Sequence, residues 1–465
     1  MIMNHKASTP SHARVSSQSS TLKQAVRLST VKFNALLWIA TSLSACTVVG
    51  PDYVRPTIDV PKAFKEANST RITLASNATS VNWWTIYADK QLDDLINQVE
   101  LNNFTLQMAD ARVRQAQALA ASAHSEKQPS LIIGGANDLG VRLNWEIDLW
   151  GRIERNIESA NASTEASLAD LAAVKLAIQT QLAQNYFLLR TKDAEIQLLE
   201  EIASSYEKLL QITRNQYAVG VVDKGNIVQA QAQLSAAQTQ TQDARITRAQ
   251  LEHAIAVLIG KAPAAFSIPS ATLSTNLPLI PASLPSDLLQ RRADIAAAER
   301  RMLAANARIG AAIAANYPKL DFSGGVSIRK GGLGGPRLTA PLYSEAPNAP
   351  RDKATAEYDE VIANYRQTVL NSFLEVEDNL SAQTVLNQAY EAQKQAVVAS
   401  QESTVIAQNQ YDAGILTYQA MLEIKATALN NQRAALTLLG RRYIASVTLI
   451  KALGGGWGTS TELAK

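Results

Sequence analysis

Few residues in this chain could do chemistry, and the single cysteine is the first to consider. Cys46 closes the run Leu43-Ser44-Ala45-Cys46. That run is a bacterial lipobox, in which the cysteine thiol is lipidated and the residue becomes the new amino terminus. Ahead of it lie five basic residues, Lys6, Arg14, Lys23, Arg27 and Lys32, and no acidic one, then an apolar run through Phe33, Ala35, Leu36, Leu37, Trp38, Ile39 and Ala40. The apolar run is too short to span a bilayer and reads as an export signal. Several acyl chains on one residue would hold it at a membrane, each buried methylene contributing about 0.8 kcal/mol. Thr47 stands where an aspartate would retain a lipoprotein in the inner membrane, so the outer membrane is the expected address. With one cysteine, no internal disulfide can form.

The other reactive residue types form no constellation. His5, His12, His124 and His253 are isolated, and no phosphate loop, dinucleotide fingerprint or metal-ligand spacing occurs. Gly454-Gly455-Gly456 follows a helical pattern instead of opening one, which makes it a helix stop. The sequence therefore predicts neither an enzyme nor a cofactor. The net charge of +3 comes from the leader: 44 basic residues less those five leave 39 against 41 acidic. A body so close to neutral has no basic stripe, which excludes nucleic acid as a partner.

The elements that position these residues come in two copies. Tyr217-Ala218-Val219-Gly220-Val221 corresponds to Tyr411-Asp412-Ala413-Gly414-Ile415, and the same register carries Leu251 onto Ala445 and Ile259-Gly260 onto Leu453-Gly454. Earlier in each half, Asn103-Phe104-Thr105-Leu106 aligns with Arg292-Ala293-Asp294-Ile295, and Pro129 with Pro318. Each half is expected to run helix, short β region, long helix, glycine turn, helix. Between Arg152 and Val219 there is neither Gly nor Pro, so one helix of about 65 residues would reach roughly 100 Å. Leu182, Leu189 and Ile196, then Ile202 and Leu209, recur at coiled-coil spacing.

The short β regions alternate with a period of two. Val141, Leu143, Trp145, Ile147 and Leu149 interleave with Arg142, Asn144, Glu146 and Asp148; Leu320, Phe322, Gly324, Val326 and Ile328 interleave with Asp321, Ser323, Gly325, Ser327 and Arg329. Shorter partners are predicted at 131–135 and 337–343. One apolar and one polar face is what a membrane β-barrel strand needs. Four strands cannot close a barrel, and an open sheet edge cannot sit in hydrocarbon, so several copies must share one barrel. Three copies would supply twelve strands and twelve long helices.

Five motifs in order then resemble a known family. They are Cys46 with Gly50-Pro51-Asp52-Tyr53-Val54-Arg55-Pro56; Trp145-Glu146-Ile147-Asp148-Leu149-Trp150-Gly151-Arg152; Leu284-Pro285-Ser286-Asp287-Leu288-Leu289-Gln290-Arg291-Arg292; Glu375-Val376-Glu377-Asp378; and Ala452-Leu453-Gly454-Gly455-Gly456-Trp457. Together they resemble the TolC-like outer-membrane efflux factors, in their lipoprotein (OprM/NodT-like) branch, over nearly everything after residue 45. The resemblance implies a mainly α fold with a small β part: a homotrimeric α-barrel of long antiparallel coiled-coil helices, continued by a 12-stranded transmembrane β-barrel with four strands per chain. It implies a multidrug efflux channel working with a periplasmic adaptor (membrane fusion protein) and an inner-membrane RND-type pump. It implies that the turns Val219-Gly220-Val221 and Ala413-Gly414-Ile415 dock the adaptor, and that Glu423 rings a closed periplasmic gate. Gln229 is the equivalent of Glu423 in the first repeat, and Asn226 stands where TolC itself is acidic, so the family's gate charges are not all kept. The hairpins are also shorter than the resemblance implies, and the proline-rich stretch at 344–351 replaces a glycine-containing turn.

The expected organisation is a signal peptide at 1–45, a lipid-anchored extended segment at 46–90, a first repeat at 91–262, a proline-rich linker at 263–285, a second repeat at 286–454 and a tail at 455–465. Two other readings share these features: a lipid-anchored periplasmic coiled-coil scaffold, and the outer-membrane channel of a type I secretion or metal efflux system. If strand pairing between copies forms the barrel, Cys46→Ser abolishes palmitate incorporation and leaves the trimer intact on native gels. Loss of all trimer would count against that origin of the barrel.

Overall fold

The computed structural model describes residues 48–69, 82–133, 140–278, 280, 285–327, 336–339 and 348–455. Cys46 and Trp457 lie outside them. The elements run α1 (Lys90–Asn102), α2 (Phe104–Ser125), β1 (Ser130–Ile133), β2 (Gly140–Ile147), α3 (Arg152–Ala218), α4 (Lys224–Leu258), α5 (Pro285–Arg291), α6 (Ala293–Ala314), β3 (Lys319–Ser327), β4 (Pro336–Thr339), α7 (Ala349–Asp412) and α8 (Tyr418–Ala452). The chain is mainly helical with one small sheet. Its described residues form two compact units: one gathers those within 124–156 and 307–351 with 48–51, the other those within 52–123, 157–306 and 352–455.

In the first unit the four strands form one antiparallel sheet in the order β1-β2-β3-β4. The β2–β3 ladder is the longest, running from Gly140↔Ser327 to Ile147↔Leu320. β2 stops two residues before the end of the predicted alternation. Asp148 leaves the strand because its carboxylate accepts the Glu154 N–H at 2.8 Å, capping the start of α3. Trp150 donates its indole N–H to the Pro318 carbonyl at 2.8 Å and packs on Tyr317 with ring centroids 4.7 Å apart. The predicted residues 328–329, 134–135 and 340–343 fall outside the described part, as does the first half, 344–347, of the proline-rich stretch.

α3 is one helix of 67 residues and α7 one of 64, nearly all of each in the second unit, and each returns through a glycine turn into a helix of 35. Leu182, Leu189 and Leu209 of the predicted heptads are buried, while Ile196 and Ile202 are half-buried. Their partners are Tyr186, Phe187, Ile255, Tyr443 and Val447 in one core, and Leu234, Met421 and Leu422 in another. Trp83 and Trp84, just before α1, are buried in the first of these cores.

The helix expected before each β region is two helices instead of one. The break falls at Asn103 in the first repeat and at Arg292 in the second, the positions that the repeat aligns. Asn103 caps α2 by accepting the Leu106 N–H at 3.0 Å and donates its amide to the Leu258 carbonyl at 2.7 Å. Arg292 donates to the Ala452 carbonyl at 3.0 Å, to Glu375 at 2.8 Å and to Asp294 at 2.6 Å. Leu258 and Ala452 are themselves repeat equivalents, at the ends of α4 and α8. Each break thus satisfies a carbonyl that its repeat's last helix leaves without an intrahelical donor.

The proline-rich segment is bound to the helices at Ile268 and Pro269. Buried Asp193 accepts from Arg190 at 2.8 Å and from Arg248 at 2.6 Å, and these arginines donate to the carbonyls of Pro269 and Ile268. Glu252 accepts the Ile268 N–H at 2.5 Å.

Asn103→Ala leaves a part-buried carbonyl without its donor and should cost roughly 1–3 kcal/mol in urea unfolding. Arg292→Met should cost at least as much at neutral pH. The Asp294 carboxyl is half-buried, which raises its pKa, but the Arg292 pair more than offsets this and holds it below the usual 3.8. Its contribution is present above that pH and lost as pH falls through the lowered value, so the wild-type advantage over Arg292→Met should shrink in acid.

Candidate functional site

Two regions answer to the candidate residues: the glycine turns that end the long hairpins, and the two faces of the sheet.

The turns are built alike. Gly220 and Gly414 sit at φ +77° and +73°, and a Cβ on either would meet nothing within 4 Å. Gly220 donates its N–H to Tyr217 O and Val221 to Gln216 O; Gly414 donates to Tyr411 O and Ile415 to Gln410 O. These are Schellman closures, which need a left-handed residue at the helix end. The next helices start at equivalent caps, with the Asp223 carboxylate accepting the Asn226 N–H and the Thr417 hydroxyl accepting the Ala420 N–H. Local hydrogen bonding is complete within each turn, so the apolar side chains are left outside. Val219, Val221 and Ile415 are 75%, 69% and 76% exposed, and Ala413 is exposed as well.

Glu423 is exposed on α8, where its carboxylate accepts from the Gln419 amide at 3.2 Å. Asn226 and Gln229 are half-buried at the start of α4. No hydrogen bond or ion pair joins Glu423 to either of them among the described residues. The structure therefore places all three just past the turns and does not assemble them into one bonded cluster within a chain.

What joins the two hairpins is a set of residues that the repeat pattern did not single out. Tyr411 donates its hydroxyl to Gln216 at 3.0 Å, bridging α7 to α3. Within the second hairpin Lys425, two residues beyond Glu423, ties α8 back to α7 by donating to Gln408 at 2.7 Å, and burial pulls its pKa down against the opposing influence of Asp412. Arg433 donates to Glu195 at 2.9 Å and to Gln240 at 3.1 Å, tying α8 to both α3 and α4. Burial raises the Glu195 pKa, but Lys192 and Arg433 more than reverse it and hold the carboxyl below the usual 4.5. Polar residues on long helices are ordinarily solvated, so nothing in the local sequence marked these as contacts.

The sheet separates its residues by face. Side chains alternate along each strand, so Val141, Leu143, Trp145, Leu320, Phe322 and Leu338 share one face. Leu131, Val141, Trp145, Phe322 and Leu338 on it are all exposed. The opposite face carries Arg142, Asn144, Glu146, Asp321, Ser323, Arg337 and Thr339, which line a concavity of about 900 Å³. Glu146 is held by a bidentate pair with Arg152 at 3.0 and 2.9 Å. A largely exposed apolar face on one side, where the Trp145 indole N–H donates to the Lys127 carbonyl at 3.1 Å, and a mainly polar hollow on the other suit a sheet with lipid outside and water inside. No helix among the described residues is long and apolar enough to cross a membrane.

Residues 95–261 and 284–455 match the family described as outer membrane efflux protein. The chain belongs to that family. The two matched stretches are the two repeats. Within the family, the chain is 27% identical over 451 residues to the cation efflux system protein CusC of Escherichia coli, covering 90% of this chain and 97% of CusC. It is 30% identical over 433 residues to the pyoverdine export outer membrane protein OpmQ of Pseudomonas aeruginosa, covering 83% and 90%. In three dimensions it resembles the open state of the Neisseria gonorrhoeae MtrE outer membrane channel, with a TM-score of 0.77 and 25% identity over 88% of this chain and 98% of MtrE. Family membership places the protein among outer-membrane transport components.

Arg433→Met should lower stability by roughly 1–2 kcal/mol, at the low end for a charged hydrogen bond because Arg433 is a third exposed. The loss should be fullest above pH 4.5 and fade as Glu195 protonates at lower pH, which parallel thermal melts of both proteins would read.

Proposed function

We propose that this protein is the outer-membrane channel of a tripartite efflux system, a lipid-anchored homotrimer that passes small molecules from periplasm to exterior. The observation that carries the reading is the sheet. β1 and β4 each leave one edge unpaired, and unpaired backbone groups cost several kcal/mol each in hydrocarbon. Joining β4 of one copy to β1 of the next removes both edges and puts every apolar face outward. β2 and β3, with 8 and 9 described residues, come close to the roughly 9–11 that a tilted membrane strand needs. Lipidation at Cys46 adds the anchor. Passage along such a channel makes and breaks no bonds, so the reading assigns no catalytic residue.

The turns Val219-Gly220-Val221 and Ala413-Gly414-Ile415 are the docking points for a periplasmic adaptor that connects to an inner-membrane RND-type pump. Their exposed valines and isoleucine, with glycines that leave the backbone approachable, suit contact with apolar helix tips. Glu423 is the gate residue, and three carboxylates about one axis would attract cations and repel one another. Asn226 and Gln229 line the same gate as neutral partners. The cargo is a small molecule; drugs and other amphiphiles are the class favoured here, and the relatives named for cations and for pyoverdine show how widely cargo varies within the family.

Single-channel recording of detergent-extracted protein in a planar lipid bilayer tests the reading. Discrete, reproducible steps are expected, with Glu423→Ala raising resting conductance and lowering cation preference. No steps from folded protein, in the Glu423→Ala variant as well, would favour a periplasmic scaffold.

A further inference from the structure

The polar face of the sheet carries a charge imbalance created by the register of its strands. Arg142 stands opposite Gly325 in the β2–β3 ladder and opposite Ile132 in the β1–β2 ladder. Neither neighbour can supply a counter-charge. Along its own strand the next same-face residue is Asn144, also neutral. Arg337 stands opposite Asp321, yet that carboxylate accepts from the Thr339 hydroxyl at 3.3 Å, and no ion pair joins it to Arg337 among the described residues. Both arginines are exposed, and both line the same concavity of about 900 Å³.

The carboxylates of this face do not cancel them. Glu146 and Glu126, which lines the same concavity, both face Arg152, the first in a bidentate pair and the second at 4.0 Å, which leaves Asp321 as the one strand carboxylate facing Arg142, Arg337 and, by the alternation of its own strand, Lys319. The described residues of β1, Ser130–Ile133, and of β4, Pro336–Thr339, contain no acidic residue, so joining those edges between copies adds none. Closure of the barrel multiplies the excess of positive charge around one axis.

We propose that Arg142 and Arg337 form an anion-attracting ring on the lumen face of the barrel, so that this part of the passage favours solutes bearing carboxylate or phosphate groups. The inference rests on the trimeric channel reading and goes beyond it by assigning a charge filter to the membrane sheet, opposite in sign to the ring at Glu423. Arginine suits the task because its charge persists at every physiological pH and its planar fork pairs with carboxylate and phosphate. Rings of basic side chains are how pores prefer anions. The attraction is screened over about 10 Å at 0.1 M salt, so the preference belongs to dilute salt and fades near 1 M.

The test is the reversal potential of single channels in a potassium chloride gradient at low ionic strength, comparing wild type, Arg142→Gln/Arg337→Gln and Arg142→Lys/Arg337→Lys. The glutamine pair should lower the chloride-to-potassium permeability ratio about threefold or more, with the difference vanishing near 1 M salt, and the lysine pair should keep the wild-type ratio. Sodium benzoate and sodium phosphate in place of chloride should show the same ordering. Steps with an unchanged reversal potential in the glutamine pair overturn the ring while leaving the channel standing. Absence of steps in both wild type and Glu423→Ala overturns the channel reading and the ring with it. Should the double variant fail to insert, Arg337→Gln on the short edge strand reads the same shift alone, and an unchanged ratio there counts equally against the ring.

Discussion

A long helix ends with carbonyl groups that have no intrahelical donor, and in this protein each repeat satisfies one of them from the start of the same repeat. The Leu258 carbonyl at the end of α4 takes the Asn103 amide, and the Ala452 carbonyl at the end of α8 takes the Arg292 guanidinium. Glycine makes both approaches possible. A Cβ on Gly260 would lie 2.4 Å from the Asn102 carbonyl oxygen, and one on Gly454 would lie 3.1 Å from that of Arg291. The beginning and the end of each repeat are thereby pinned together, which closes the path of each helical hairpin at its root.

The two locks share a geometry and differ in chemistry. The first is neutral and compact. The second is ionic, with Asp294 and Glu375 drawn to a guanidinium that is itself buried. A buried charge must be met by partners or it costs more than it returns. The second repeat, which carries Glu423, is therefore the one whose root responds to protonation. The pairs of Arg433 with Glu195 and of Lys425 with Gln408 add polar contacts further along the hairpins, beside the apolar core of Leu209, Leu234, Met421 and Leu422.

The sheet obeys a different constraint. Among the described residues its strands pair in three antiparallel ladders, with β2 and β3 bonded to each other along their full length, and its faces largely divide lipid-compatible from water-compatible side chains. Both properties follow from the period of two, since a slip of one residue would turn every side chain to the wrong face. The same register sets Arg142 against Gly325 and so leaves its charge exposed in the polar hollow.

Much of this was legible in the residues alone. The duplication, the long helices free of Gly and Pro, the turns at Gly220 and Gly414 and the alternating strands are all local or periodic signals, and local backbone preference was enough to place them. The residues in the turns could be named because a Schellman closure demands a particular residue at a particular helix end. What the sequence could not show is which distant groups meet. The breaks at Asn103 and Arg292 interrupt no hydrophobic pattern, and their cause is a carbonyl more than 150 positions away in the chain. The end of β2 at Ile147 depends on Asp148 capping α3, where the alternation alone would have continued. The Tyr411–Gln216 bridge and the binding of the proline-rich segment by Arg190 and Arg248 likewise join residues with no shared pattern. Periodicity reports which face of an element is buried, while the identity of the partner is set only when the elements pack, because a hydrogen bond depends on distance and direction that no spacing along the chain encodes.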